Sequence, residues 1–521
     1  MAVEIELKFR IPPARLAALR RAVATRSAVV LPLAAVYVDT AGEHLARART
    51  ALRLRREGPQ WVQTLKAEGA TPMQRLEHNV VLQAPGLAAT AAANATGTSR
   101  PLLDIHRHDG TAAGAALQRV LASAGHPPLV ERFATDVQRT RRVLRRGAAS
   151  IELALDEGHI HAAGRQVVVC EIEFELLQGT PQALLDEAAR WVQRFGLVLD
   201  VRSKSERGHL LAAGRACSPP AQARALHLPA KAPLADALVA LLANPLGQVL
   251  ANASQLADAD TLAGHDSAEH LHELRVGLRR LRSVLGAYGP LMTGLDPALA
   301  PAVATLFHQL GPARDADAMA AWLTPALRSA GAPLHDLPAV PGAASATDIS
   351  ALLCLPATQQ LWLALLALCQ PAPAAAAAAG PQPRASSKPA RRLRDALRPP
   401  LQVLQHQVRH DAAAFAALDQ PARHRLRRRI KRLRYLLALT SAVWPAAAVA
   451  RWQHRLQQAQ GPLGVLQDAV VAQAAWQAAA AVDSRAWFAV GWLAAHQQTL
   501  DEPCRQVLLR LAATPGLWRK A

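Results

Sequence analysis

Aromatic side chains are scarce in this chain: Phe, Trp and Tyr make up 4% of its 521 residues. A surface that stacks on nucleic-acid bases is therefore poorly provided for. The five cysteines (Cys170, Cys217, Cys354, Cys369 and Cys504) are scattered, odd in number and form no CxxC pair. That excludes a disulfide framework and argues against a thiolate zinc site. Acidic residues are outnumbered, 39 against 59 Lys and Arg, for a net charge of +20. The partner should be an anion: nucleic acid, an acidic membrane or a phosphate polymer. The apolar run around Leu361–Cys369 is too short to span a bilayer. The start has no basic region followed by an apolar core, so no signal peptide is expected. These absences lead us to expect a soluble, cytoplasmic protein with no membrane partner.

What is present begins with Val3-Glu4-Ile5-Glu6-Leu7-Lys8-Phe9-Arg10. In a strand, side chains alternate between faces, so Glu4, Glu6, Lys8 and Arg10 share one face and the apolar residues the other. Short alternating segments recur at Tyr37–Thr40, Leu52–Arg55, Val62–Lys66, Arg75–Val80, Ile151–Asp156 and Cys170–Leu176. Helices are expected at about 12–24, 112–124 and 181–196, and 86–111 resembles an inserted loop. Regular short strands separated by turn residues predict an antiparallel barrel or strongly curved sheet. If the charged faces point inward, carboxylates and cations share one lumen. Carboxylates suit a hard divalent cation, and arginine pairs with phosphate bidentately. A wet face of cross-strand ion pairs explains any single strand; repetition over five strands favours an internal polyanion site.

The ordered set Glu4-x-Glu6-x-Lys8, Tyr37-x-Asp39-Thr40, Arg53-x-Arg55, Thr64-x-Lys66, Arg139, Asp156-x-Gly158, Glu171-x-Glu173 and Ser203-Lys204-x-x-Arg207-Gly208 resembles the CYTH superfamily, the triphosphate tunnel metalloenzymes. The resemblance covers about 1–210. It implies an α+β domain built on an eight-stranded antiparallel tunnel that hydrolyses triphosphate with Mg²⁺ or Mn²⁺. It further implies that Glu4, Glu6, Asp156, Glu171 and Glu173 hold metal, with Glu4, Glu6, Glu171 and Glu173 catalytic. Lys8, Arg53, Arg55, Lys66, Arg139 and Lys204 would hold phosphate. Arg75–Asn79 looks closest to the inorganic triphosphatase branch. Arg10 lies on the same face with no motif to place it.

Beyond a linker at 213–230 the pattern is helical throughout. The segment from His272 to Arg282 recurs from His424 to Arg434, and Leu310-Gly311 through Arg314-Asp315 is paralleled by Leu463-Gly464 through Gln467-Asp468. The second domain, 231–515, thus reads as two related halves, about 231–369 and 391–515, joined by an Ala/Pro-rich flexible segment at 370–390. His272, Arg275, Arg279 and Arg282 recur at three and four, as do His424, Arg427, Lys431 and Arg434, so each set lines one helical face. Like charges stacked this way repel, which suggests that a bound polyanion offsets the repulsion. His265, His270 and His272 lie close in sequence but not on one face, which disfavours a metal site. The basic rows and the Leu-Gly-x-x-Arg-Asp motif resemble the CHAD domain, an all-α module, over about 225–515. That resemblance implies binding of inorganic polyphosphate and association with polyphosphate granules.

The expected protein is a metal-dependent inorganic triphosphatase with a basic helical domain that binds polyphosphate. Alternatives are a non-catalytic polyphosphate scaffold and a tunnel enzyme for an organic triphosphate such as thiamine triphosphate. Nucleic acid is disfavoured because aromatics do not interleave with the cations.

Overall fold

The computed structural model describes residues 3–82, 100–229, 231–258, 267–332, 348–370 and 393–518, the side chains of 312–318, 320 and 321 excepted. The alternating segments form nine strands: β1 (Val3–Arg10), β2 (Val29–Thr40), β3 (Ala51–Glu57), β4 (Gln60–Glu68), β5 (Gln74–Leu82), β6 (Leu129–Arg146), β7 (Ala149–Ala162), β8 (Arg165–Gln178) and β9 (Val198–Leu199). Their order is β5-β4-β3-β2-β6-β7-β8-β1-β9, and β5 also pairs with β1. Eight antiparallel strands therefore close into a barrel, with the two-residue β9 added beside β1. Closure removes the unpaired edges an open sheet would leave.

Alternation then sorts the residues. Leu7 and Phe9 of β1 are buried on the outer face, where Phe9 meets Phe174 edge-on and Phe174 meets Trp191 of α4 (Pro181–Phe195). Helix α4 starts on the Thr180 hydroxyl, which accepts from the Ala183 amide, and ends on Gly196 in the left-handed region. Helices α1 (Pro13–Val23), α2 (His44–Arg47), α3 (Ala112–Ser123) and α5 (Lys204–Ala212) complete this half. Of the expected insert, 86–99 lie outside the described residues. The remainder carries a 3-10 turn, Ile105–His108, whose buried His108 sits 2.9 Å from Gln63 and from His78.

The second half is helical: α6 (Leu234–Leu256), α7 (Ser267–Tyr288), α8 (Leu299–Gln309), α9 (Gly311–Ser329), α10 (Ile349–Cys354), α11 (Pro356–Ala367), α12 (Leu393–Ala413), α13 (Gln420–Leu439), α14 (Ala446–Ala480) and α15 (Trp487–Ala512). The expected joiner lies, from 371 on, outside the described residues. The repeat is visible in the elements, since α7 and α13 carry the matching basic segments. One half breaks between α8 and α9 at Leu310, whereas its counterpart continues through Gly461-Pro462 as the single 35-residue α14. Met319, Leu323 and Leu327 pack with Trp476, Ala489, Val490 and Leu493 in one core. Helix α6, rather than the stretch at Leu361–Cys369, is long and apolar enough to cross a membrane, and 56% of its apolar window is buried inside the protein.

The chain forms two compact units. One comprises Met1–Ala221 together with Leu250–His270 and Ser350–Gln370; the other comprises Gln222–Val249, Leu271–Ile349 and Pro371–Ala521.

Candidate active site and basic helical faces

Strand register places the charged residues opposite one another inside the barrel. Arg139 pairs with Asp156, Asp156 with Glu171, Lys8 with Glu173, Lys66 with Glu77 and Glu4 with Arg75. At one centre Lys204, the first residue of α5, lies 2.6 Å from Asp156, 2.6 Å from Glu171 and 2.9 Å from Glu173. Arg139 donates twice to Asp156, at 2.7 Å each, and once to Glu173 at 2.5 Å. Arg207 reaches Glu171 at 3.1 Å. Burial opposes every one of these charges, yet each sign stabilises the other. Lys204 and Arg139 are held well above their ordinary values by the carboxylates, and Glu173 is held well below its own by Lys204 and Arg139.

That centre sets three cations against three carboxylates, whereas a second group has an excess of carboxyls. Glu4, Glu6 and Glu77 share Lys66 at 2.6, 3.6 and 3.4 Å. Burial, with Glu6 and Glu77 beside it, pushes the Glu4 carboxyl up to about 9 against the pull of Lys66. Burial likewise pushes Glu175 up to about 6. Arg75 Nε stands 3.8 Å from Glu6, so the three carboxyls of this group still outnumber its two cations.

A third group is cationic. Arg53 donates to the Tyr37 hydroxyl at 2.8 Å, while its Nε is buried and finds no partner among the described residues. Burial and then Arg53 lower Arg55 to about 10, although Glu57 is bonded to it. Lys8 forms no ion pair among the described residues; after Arg202, it helps to hold the buried Asp200 carboxyl low. The lumen thus holds carboxylates short of a cation beside guanidiniums short of an anion. Asp156, Glu171 and Glu173 also offer oxygens within 4.8 Å of one another. Hard oxygen donors of this kind fit a hard divalent cation.

In the helical half, the two basic rows meet. On α7, Arg275, Arg279 and Arg282 lie 4.9, 5.8 and 5.1 Å from the Phe307 ring. Arg275 is buried and donates to the Leu310 carbonyl at 2.6 Å, where α8 ends. On α13, His424 lies 2.9 Å from Gln467, and Arg427 lies 3.5 Å from Asp468. Burial, then Arg427, Arg279 and Arg434, lower Lys431 to about 7. Since Arg279 belongs to the first row and Lys431 to the second, the rows form one cationic surface. His272 is half-buried on α7, within 4.8 Å of Glu269 and Glu273.

Residues 2–206 match the family model of the CYTH domain, and residues 246–477 that of the CHAD domain. The chain carries a CYTH domain followed by a CHAD domain. An inorganic triphosphatase of Haemophilus influenzae is 29% identical over 217 residues, which cover 40% of this chain and 55% of that protein. The chain thus spans about half the length of this curated relative. The solved CHAD domain of Ricinus communis overlaps with a TM-score of 0.45 at 27% identity, over 57% of this chain and 99% of that one. A Hippeastrum protein whose structure is described as revealing a dominant triphosphatase activity overlaps with a TM-score of 0.28 at 18% identity, over 40% and 96%.

Within the CYTH domain, Glu4, Glu6, Lys66, Asp156, Glu171, Glu173, Arg139 and Lys204 are brought into direct contact groups, and Arg53 and Arg55 sit together on β3. Sequence reasoning missed Glu77, which completes the Lys66 group, and Arg207, which holds Glu171. Both stand in the motif segments already singled out, so position was legible and partnership was not. Arg10 is paired with Asp258 at 2.9 Å. In the CHAD domain the structure separates Arg275, spent on a helix end, from Arg279, Arg282, Arg427, Lys431 and Arg434. Arg314 and Asp315 lie in α9 with side chains outside the described set.

Proposed function

We propose that the CYTH domain hydrolyses inorganic triphosphate with Mg²⁺ or Mn²⁺ and that the CHAD domain binds inorganic polyphosphate. The observation that carries the first part is the imbalance in the lumen, where the carboxyls of Glu4, Glu6 and Glu77 outnumber their cations and stand in one barrel with Arg53 and Arg55 of β3. A linear triphosphate complexed to a divalent ion supplies both missing charges at once. Glu4, Glu6, Asp156, Glu171 and Glu173 would hold the ion, which supplies Lewis-acid polarisation of the phosphate oxygens. Arg53, Arg55 and Arg139 bind the phosphate oxygens and neutralise the charge that grows on the departing diphosphate. Lys8 and Lys204 add point charges, and Lys66 stays anchored among Glu4, Glu6 and Glu77. Water attacks the terminal phosphorus, the bridging P–O bond breaks so that diphosphate departs, and an ionised carboxylate of the lumen takes up the proton of the water.

Phosphate release from tripolyphosphate, ATP and thiamine triphosphate, with each metal and with chelator, tests this. Tripolyphosphate should be the preferred substrate and chelator should stop its hydrolysis. Glu6→Gln should reduce turnover by at least about 100-fold while leaving the fold intact. Wild-type protein that releases no phosphate under any of these conditions would leave the non-catalytic reading ahead.

For the CHAD domain, the supporting observation is the convergence of Arg279, Arg427, Lys431 and Arg434 on one surface. Among the described residues, the rings that arginines of these rows face are Phe307 and Tyr435, each already covered by a guanidinium and so poorly placed for bases to stack on. Polyphosphate should therefore displace RNA readily in a filter-binding competition. A cytoplasmic protein located at polyphosphate granules is the setting this reading implies.

A further inference from the structure

Lys204 is held among three carboxylates, but nothing in its own helix explains how its backbone is fixed. The segment that leads into it, 199–203, is not part of the barrel ladder beyond Leu199. A buried backbone amide needs an acceptor, and each successive donor here can be followed. The Leu199 amide donates to Gln359 Oε1 at 2.7 Å. The Asp200 amide donates to the Lys8 carbonyl at 2.9 Å. The Val201 amide donates to Ser254 Oγ at 3.1 Å. The Arg202 amide turns back to Asp200 at 2.9 Å, and its guanidinium reaches Asp258 Oδ2 at 2.8 Å. Ser203 then caps α5 by accepting from the Glu206 amide at 3.0 Å.

Three of these acceptors, Ser254, Asp258 and Gln359, come from outside the CYTH match, yet they belong to the same compact unit as the barrel. They are built for the task. Gln359 is 2% exposed, and its amide nitrogen donates to the Leu353 carbonyl at 2.7 Å, which fixes which end of the side chain faces Leu199. Asp258 divides its two oxygens between Arg202 and Arg10, at 2.8 and 2.9 Å. Arg10 stands two residues beyond Lys8 on the same strand face. One carboxylate thereby ties together the approaches to two lumen lysines, Lys8 and Lys204.

We propose that Ser254, Asp258 and Gln359 are positioning residues for the CYTH site, holding the 199–203 segment so that Lys204 meets its carboxylates and the incoming phosphate. The CHAD region would then contribute to the tunnel's substrate affinity without touching substrate. This rests on the triphosphatase reading for its kinetic form.

The test is a double-mutant cycle in the full-length protein. Ser254→Ala and Asp258→Asn should each raise KM for tripolyphosphate roughly 5- to 50-fold, the scale of a small misplacement at a reacting site, with kcat changed less. Asp258→Glu should restore part of the affinity. In a Lys204→Ala background, Ser254→Ala should not lower kcat/KM further, because the residue through which it acts is gone, and Asp258→Asn should keep only the smaller loss that runs through Arg10 and Lys8. Losses that multiply in the Ser254→Ala, Lys204→Ala double variant, or wild-type kinetics in both single variants, would overturn the proposal. Ser254→Ala removes only one hydroxyl, so it keeps the test open if Asp258→Asn folds poorly. If wild-type protein does not hydrolyse tripolyphosphate, the triphosphatase reading fails on its own, and the same cycle is read on tripolyphosphate Kd by calorimetry, with the same two outcomes.

Discussion

Lys431 is a lysine among arginines. Burial, with Arg427 and Arg434 on its own helix and Arg279 on α7, lowers it to about 7, and Asp468 on α14 only partly opposes this. A polyanion laid on this surface favours the charged amine, so binding takes up a proton. Affinity should be level below about pH 7 and fall above it, as the free amine loses its proton and one charge contact goes. The expected drop between pH 6 and pH 8.5 is about fivefold, or about 1 kcal/mol, at fixed ionic strength. Titration of a long-chain polyphosphate against wild type and Lys431→Arg checks this: the arginine should flatten the profile. A wild-type profile already flat across that range would contradict the assignment. Its neighbours in the repeat divide differently. Arg280 is 3% exposed and donates to Gln248 at 2.7 Å and Asn244 at 2.6 Å, so its guanidinium is spent inside the protein. Arg280→Ala should cost about 2 kcal/mol or more of stability, by leaving those acceptors unpaired, while polyphosphate affinity in the folded protein changes little. Arg279→Ala should do the reverse. Thermal melts and binding isotherms on the two variants separate the roles.

Among the elements, α5 shows how a motif glycine serves a site without touching it. A Cβ at Gly208 would lie 2.2 Å from the Phe133 ring, which itself stacks on Tyr37 at 4.5 Å. The helix that carries Lys204 therefore lies against the barrel at a distance only glycine permits. Gly208→Ala should push α5 outward and lower stability by about 1–3 kcal/mol, and Phe133→Leu in the same chain should recover part of the loss. Unchanged melting in Gly208→Ala would show that α5 can shift freely. Much of this level could be read in advance. Alternation in β1, β3, β4, β7 and β8 put Glu4, Arg53, Lys66, Asp156 and Glu173 on one side of their strands, and closure of the barrel made that side a lumen. The helical spacing of Arg279 and Lys431 likewise put them on faces. Which partner each residue meets was not legible, because periodicity assigns a face and not a neighbour. Glu77 joined Lys66 only through the β4–β5 register. Arg275 is turned away from the cationic surface because α8 stops at Leu310 and offers it a carbonyl. The parallel Leu-Gly segment in the other half runs on as α14, a difference that two such similar motifs do not announce. Arg10 waited for Asp258, 248 positions away.

For the whole molecule, the net charge of +20 is divided unequally in its use. In the CYTH lumen, the local excesses of carboxylate and of guanidinium nearly cancel overall, so on the proposed reading affinity there should depend on geometry and on a bound metal. On the CHAD surface, Arg279, Arg282, Arg427, Lys431 and Arg434 face few carboxylates, and binding should be driven by displacement of small ions from the polyphosphate chain. The two activities should therefore respond differently to salt. Long-chain polyphosphate affinity should fall steeply as salt rises, with a slope in a log–log plot that counts the phosphates neutralised. Arg427→Glu with Arg434→Glu should make that slope shallower and weaken binding at least about tenfold, the equivalent of about 1.4 kcal/mol. The same double variant should leave kcat for tripolyphosphate within about twofold of wild type, since neither residue lines the lumen and neither belongs to the group of acceptors that holds Lys204. Phosphate release and polyphosphate retention measured on one preparation decide the matter. A variant that loses both together would mean that the CHAD cations act on the tunnel reaction itself, and the separation of tasks argued from their charge balance would fail.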